Sequence, residues 1–190
     1  LNSIGIKAFG FTQIESIYFP SKLSELNEGW CSELRSLNEI KISLFNKNFQ
    51  MINNQILLGK SDPKSDSFDV LLFAVRNISK VKIPSNIKII SSFAFCSCYN
   101  LTSVEIPLNS ELKIIGYDAF CNTGIEKIFI PSHVTKIDAY AFCLCQNLSK
   151  IEFSENSELQ IIEMSVFKST IINKISIPHH TKIISENAFH

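Results

Sequence analysis

The chain has 190 residues, 45% apolar and 19% charged, with 15 phenylalanines, a composition that can bury a substantial core and excludes disorder as the main state. Its 18 basic and 18 acidic residues cancel, so no bulk charge draws it to nucleic acid or to an anionic membrane. No apolar run approaches the roughly 20 residues that cross a bilayer, so no membrane span is expected in this segment.

Leu1-Asn2-Ser3-Ile4 lacks the basic and apolar regions of a signal peptide. It lines up with Leu108-Asn109-Ser110, so the segment reads as an excised one that begins inside a repeating unit. Ala8-Phe9 and Ile17-Tyr18-Phe19-Pro20 introduce the unit's two main elements. These are an Ala-Phe turn and a short strand closed by a proline, which has no N–H to give to a neighbouring strand. The strand recurs as Ile40-Lys41-Ile42-Ser43, Val81-Lys82-Ile83-Pro84, Val104-Glu105-Ile106-Pro107, Ile128-Phe129-Ile130-Pro131, Ile151-Glu152-Phe153-Ser154 and Ile175-Ser176-Ile177-Pro178. Its last residues fall in steps of 23, 41, 23, 24, 23 and 24. The turn recurs at Ala94-Phe95, Ala119-Phe120, Ala141-Phe142, Val166-Phe167 and Ala188-Phe189, with an apolar ridge between at Ile90, Ile115, Ile137, Ile162 and Ile184. Residues 127–173 repeat residues 80–126 at 21 of 47 positions, so two unit types alternate.

This pattern predicts a single β-rich solenoid domain over 1–190, with one short parallel strand per 22–25-residue repeat and both ends cut in mid-repeat. Phe95, Phe120, Phe142, Phe167 and Phe189 are the expected interior core, since no single repeat can bury its own phenylalanine. The one irregular step holds an insertion at about 44–80. There Phe49–Ile52, Asn53-Asn54 and Gln55–Gly59 read as strand, turn and strand, because paired asparagines tolerate the left-handed turn of a hairpin. A polar loop at 61–67 and a further strand at 68–75 follow, and the whole is expected to pack on or extend the solenoid.

Candidate chemistry is sparse. His133 and His180 each follow a repeat proline by two residues, but two layers of about 4.8 Å put them about 10 Å apart, too far to share a metal. His179 has no second-ligand motif, and Asp62 and Asp66 lack the glycine and glutamate of a calcium loop. No phosphate-binding glycine loop, nucleophile elbow or zinc-protease motif is present, so neither catalysis nor a cofactor is expected. Cys96, Cys121 and Cys143 fall in one column, with Cys31 as a candidate fourth member, and Cys98 with Cys145 in a second. These are read either as small buried apolar residues or as disulfides between neighbouring rungs. Glycosylation-type sequences occur at Asn77, Asn100 and Asn147; the last two recur with the repeat beside apolar core positions and read equally as structural.

The outward strand face is the most informative surface. Strand alternation points Tyr18, Lys41, Lys82, Glu105, Phe129 and Glu152 away from the core, and these are the candidate partner-binding residues. Most form a solvated, charge-mixed face, with Lys82 and Glu105 as a cross-strand pair. Tyr18 and Phe129 break that pattern, and outward aromatics are the residue type that anchors partners.

The run from Ile83 to Phe95 (strand, Ile-Pro, Ser/Asn corner, Ile ridge, Ala-Phe) followed by Cys and Asn-Leu resembles the BspA-type leucine-rich repeat, found in bacterial surface proteins and expanded in trichomonad parasites. The resemblance covers nearly the whole chain, and hairpin inserts like the one at 44–80 resemble those of trichomonad members. It implies a leucine-rich-repeat stack, a cell-surface or extracellular location, and recognition of a protein or host surface, as in an adhesin or surface antigen. It also implies that the turn cysteine is commonly a buried thiol. The alternative is an intracellular scaffold that assembles through the same stack, and the uncapped ends make end-to-end self-association a further expectation.

Overall fold

A computed structural model of the protein describes residues 1–32 and 34–190. The Ile-Pro tetrads form one strand face: β2 (Ser16–Phe19), β4 (Glu39–Ile42), β8 (Lys80–Lys82), β10 (Ser103–Glu105), β12 (Lys127–Ile130) and β14 (Lys150–Phe153). The ridge column also forms strands, so most repeats carry two rather than the one expected. These are β1 (Ser3–Ile4), β3 (Glu25–Leu26), β9 (Ile89–Ile90), β11 (Ile114–Ile115), β13 (Lys136–Ile137), β15 (Ile161–Ile162) and β16 (Ile183–Ile184). The insertion supplies β5 (Gln50–Ile52), β6 (Ile56–Gly59) and β7 (Val70–Ala74).

The Ala-Phe segments are turns rather than helix. In each, alternate N–H groups reach back to the carbonyl three residues before, as in Ala94 to Ser91, Cys96 to Phe93 and Cys98 to Phe95. A left-handed residue two before and two after the phenylalanine stops these turns from winding into a helix, as at Phe93 (φ 63°) and Ser97 (φ 61°) or Tyr140 (φ 60°) and Leu144 (φ 58°). The turns also bond rung to rung: Phe95 N–H donates to Ala119 at 2.7 Å and Phe120 N–H to Ala141 at 2.7 Å. The phenylalanines therefore stack as a continuous column. The ring centroids of Phe95, Phe120, Phe142, Phe167 and Phe189 lie 4.8, 5.2, 5.6 and 5.2 Å apart in turn. The first four are fully buried, whereas Phe189 stacks on Phe167 but keeps 42% of its surface exposed.

The alternating unit lengths have a structural counterpart. Strands one 23-residue step apart pair in parallel, β2 with β4, β8 with β10 and β12 with β14. β10 and β12, one 24-residue step apart, are not bridged, nor does 175–178 pair with β14. In the longer unit the corner from Pro107 to Ile115 is lengthened, while the return from Phe120 to Pro131 takes 11 residues against 12 from Phe95 to Pro107. That tighter return passes so close to the previous turn that a Cβ on Gly124 would lie 2.6 Å from the Tyr99 carbonyl oxygen.

The insertion becomes part of the ridge sheet. β5 and β6 form an antiparallel hairpin whose turn residues, Asn53 (φ 52°) and Asn54 (φ 54°), are left-handed as that turn requires. β6 pairs antiparallel with β7, with a bulge at Leu72, and β7 pairs parallel with β9, giving an eight-stranded sheet in the order β16-β15-β13-β11-β9-β7-β6-β5. β1 and β3 pair only with each other. Arg76 joins the two parts. It is buried, and its guanidinium donates to the carbonyls of Leu34 (2.7 Å), Ala74 (3.3 Å), Ala94 (3.0 Å) and Phe93 (3.3 Å) while lying 4.2 Å from the Phe73 ring centroid. No carboxylate faces it among the described residues.

Candidate interaction surface

The six residues singled out on the strand face come together as three register pairs: Tyr18 opposite Lys41, Lys82 opposite Glu105, and Phe129 opposite Glu152. Lys82 Nζ lies 2.6 Å from Glu105 Oε1, Lys41 turns to Glu39 at 3.2 Å, and Glu152 pairs with Lys150 of its own strand. All these pairs are solvent-exposed, so they neutralise the face without contributing more than about 1 kcal/mol each. The insertion separates the Tyr18 pair from the other two.

The aromatics differ from each other. Tyr18 is 60% exposed, as alternation predicts, whereas Phe129 is half-buried. It lies at the edge of an open cleft of about 940 Å³ between β14 and residues 173–179, which is also lined by Glu152, Phe153, Ile175 and Ile177. The cleft exists because the last Ile-Pro segment does not close onto β14 across its 24-residue step.

Two apolar features were not visible in the sequence pattern. Leu44 and Phe45, at the corner that leads into the insertion, are 99% and 80% exposed. Continued past Ile42-Ser43, alternation would turn Leu44 to the core and only Phe45 outward, so the exposure of both does not follow from the pattern. Phe93, Tyr117 and Tyr140 form an edge-to-face column with centroids 5.5 and 5.6 Å apart. Phe93 and Tyr140 are both two residues before the stacked phenylalanine, and that shared offset is the signal that would have found them. Burial, the Asp118 carboxylate and the neighbouring Tyr140 raise the Tyr117 phenol above its ordinary range.

The other candidates disperse. His133 meets Glu158 at 3.2 Å on the surface, and no group of three metal-binding side chains occurs among the described residues. The asparagines of all three glycosylation-type sequences are exposed, while Thr102 and Ser149 donate their hydroxyls to Ser79 and Glu126 of the preceding turn. Cys31 does not extend the cysteine column. Its turn bonds, Trp30 to Asn27, Ser32 to Gly29 and Leu34 to Cys31, place it where other repeats put the stacked phenylalanine, with Trp30 in the alanine position.

The sequence matches the model of the BspA-type leucine-rich repeat region over residues 1–62 and 67–190, in six copies. The chain belongs to that family. Solved structures agree on the fold of this BspA-type solenoid. A leucine-rich repeat protein from Eubacterium ventriosum is 20% identical, covering 99% of this chain and 61% of that one, with a TM-score of 0.61. A leucine-rich cell-surface protein from Faecalibacterium prausnitzii is 22% identical over 98% of this chain and 51% of that one, TM-score 0.65. The pneumococcal vaccine antigen PcpA is 16% identical over 97% and 60%, TM-score 0.64. The chain thus spans about half to three-fifths of these proteins. Comparison with curated proteins finds no match. No helix among the described residues is long and apolar enough to cross a membrane.

Proposed function

We propose that this solenoid, 1–190 with its insertion at about 44–80, is a non-enzymatic recognition domain of the adhesin or surface-antigen kind, acting outside the cell on a protein partner. The observation that carries the reading is the cleft beside β14, where Phe129 offers an apolar anchor on a face otherwise made of neutralised charge pairs and Phe153, packed against the core, lines the inner wall. Tyr18, Leu44 and Phe45 are further exposed apolar side chains towards the N-terminal end. Two of the solved structures that this chain resembles, a leucine-rich cell-surface protein and a pneumococcal vaccine antigen, support the location.

Binding of the labelled chain to intact host cells tests the site: Phe129→Ala is expected to weaken it at least tenfold, and undiminished binding by Phe129→Glu sinks the cleft as the contact. Surface biotinylation of cells that make the full protein tests the location, because an intracellular scaffold leaves no labelled pool. Turnover of generic ester, glycoside or phosphate substrates would restore an enzymatic reading. Ile6 and Phe11 at one end and Ile183 and Ile184 at the other are exposed, which suits stacking of a second copy. A concentration-independent monomer in light scattering removes that part.

A further inference from the structure

Six thiols are free, and three of them stand in a column. Phe95 N–H donates to Ala119 and Ser97 N–H to Cys121, which sets Cys96 directly opposite Cys121. Phe120 N–H to Ala141 and Asn122 N–H to Cys143 set Cys121 opposite Cys143 in the same way. Hydrogen-bonded rungs lie about 4.8 Å apart, inside the roughly 4.4–6.8 Å Cα separation that a disulfide accepts. Cys96 and Cys121 are only partly buried, so a small oxidant reaches them. The other three cysteines cannot join: Cys98 and Cys145 are buried two rungs apart, and Cys31 lies in the phenylalanine column.

We propose that Cys96, Cys121 and Cys143 form a thiol–disulfide site, in which a peroxide closes one disulfide between Cys121 and either neighbour and leaves the third thiol free to exchange with it. Cys96 is the thiol poised to react first. The Cys121 thiol hydrogen-bonds to it and the Arg76 cation lies nearby, and together these hold it below the ordinary thiol range despite burial. Cys121 is correspondingly raised, by that same bond to Cys96 and by burial, so it keeps its proton. The Cys96 sulfur attacks one peroxide oxygen; the O–O bond breaks, and the released hydroxide takes up the proton Cys96 gave, leaving as water. The Cys121 sulfur then attacks the Cys96 sulfenic sulfur. The S–O bond breaks as the S–S bond forms, and the hydroxyl leaves with the Cys121 proton as a second water. Two thiols and one hydrogen peroxide thus become one disulfide and two waters. Cys143, as thiolate, exchanges by attacking Cys121 and expelling Cys96 as the new thiolate. The site does not depend on the recognition reading.

Tryptic fragments separate the members: 89–113 carries Cys96 and Cys98, 114–127 carries Cys121, and 137–150 carries Cys143 and Cys145. Treating the intact chain with hydrogen peroxide, alkylating and mapping by mass spectrometry should lower the free-thiol count from six to four and join 114–127 to either neighbour. Cys121→Ser should abolish every cross-link, Cys96→Ser should redirect it to 137–150, and Cys98→Ser and Cys145→Ser should leave it in place. Six thiols persisting in excess peroxide, oxidation of Cys96 to sulfinic or sulfonic acid alone, or a cross-link that omits 114–127 each overturns the proposal. The wild-type map decides the matter even where Cys121→Ser fails to fold.

Discussion

The turns from residue 80 onwards and those before it solve the same packing problem differently. In the C-terminal part each column does one job along the stack: a stacked phenylalanine, a small apolar residue beside it (alanine, or valine at Val166), a left-handed residue on either side, and backbone bonds to the next turn. At the junction with the insertion the columns change occupant. Cys31 takes the phenylalanine place, and Trp30 takes the alanine place and packs edge-on against Phe19 (6.0 Å) and at a tilt against Phe73 (5.4 Å). Ridge strands β1 and β3 stand apart from the main sheet, and one guanidinium carries the bonds that backbone rungs carry elsewhere. Trp30 Nε1 and Ser32 Oγ have no hydrogen-bond partner there among the described residues. Stability in the first region is distributed over neighbours, as in any solenoid, while in the second it hangs on a few residues.

The largest effect is therefore expected from the middle of the regular stack. Phe142→Ala removes a ring packed against Phe120 and Phe167, and it should cost about 3–5 kcal/mol, with the C-terminal turns melting in one transition at lower temperature. Calorimetry checks this; a loss below about 1 kcal/mol would mean that the column does not act as a continuous core.

Arg76→Ala comes next, at about 3 kcal/mol, because four guanidinium hydrogen bonds go at once, although the Ala94 and Phe93 carbonyls keep the N–H groups of Ala74 and Cys96. Its signature differs in kind from that of Phe142→Ala. The turns before the insertion should unfold separately from those after it, so hydrogen exchange accelerates at Ile4, Leu23 and Leu37 while Ile137 and Ile162 stay protected. Uniform acceleration would show that the two regions are coupled by something other than Arg76.

This contrast also explains what was legible in the sequence. The tetrads, the Ala-Phe turns and the ridge repeat at fixed offsets, so periodicity alone located β8, β10, β12 and β14 and the stacked phenylalanines. Ridge strands such as Ile89–Ile90 and Ile114–Ile115 span two residues each, too short for alternation to show, and are strands only because neighbouring rungs hydrogen-bond to them. The role of Arg76 was invisible because its acceptors are main-chain carbonyls, which no residue pattern encodes. Of the outward residues, Tyr18 followed from alternation, but Phe129, outward by the same rule, is half-buried at the edge of the cleft beside 173–179, a neighbourhood that alternation does not encode.

A pH effect should follow at the insertion. The Asp69 carboxylate is buried, which raises its pKa, but the Ser61 amide (2.8 Å), the Ser61 hydroxyl (2.7 Å) and the Lys88 ammonium (3.1 Å) outweigh burial and hold it below the ordinary range. A lowered carboxylate adds stability that is in place above the unfolded value, about pH 4, and is lost as pH falls through the lower folded value. Proteolysis in the loop at 61–67 should rise as pH falls below about 4, while the C-terminal stack is unaffected. Asp69→Asn should be open already at neutral pH, and a loop equally protected at all pH values would contradict the assignment.

The smallest effect belongs to the strand face. Lys82 and Glu105 sit opposite each other at 2.6 Å, yet their side chains are 68% and 61% exposed, so water and salt screen most of the attraction. A double-mutant cycle with Lys82→Ala and Glu105→Ala should give a coupling under about 1 kcal/mol that fades in high salt. A coupling near that of a buried pair would mean that β8 and β10 depend on their outward side chains. A small one leaves that face free to vary in charge without loss of fold, which is what a surface selected for binding requires of the scaffold beneath it.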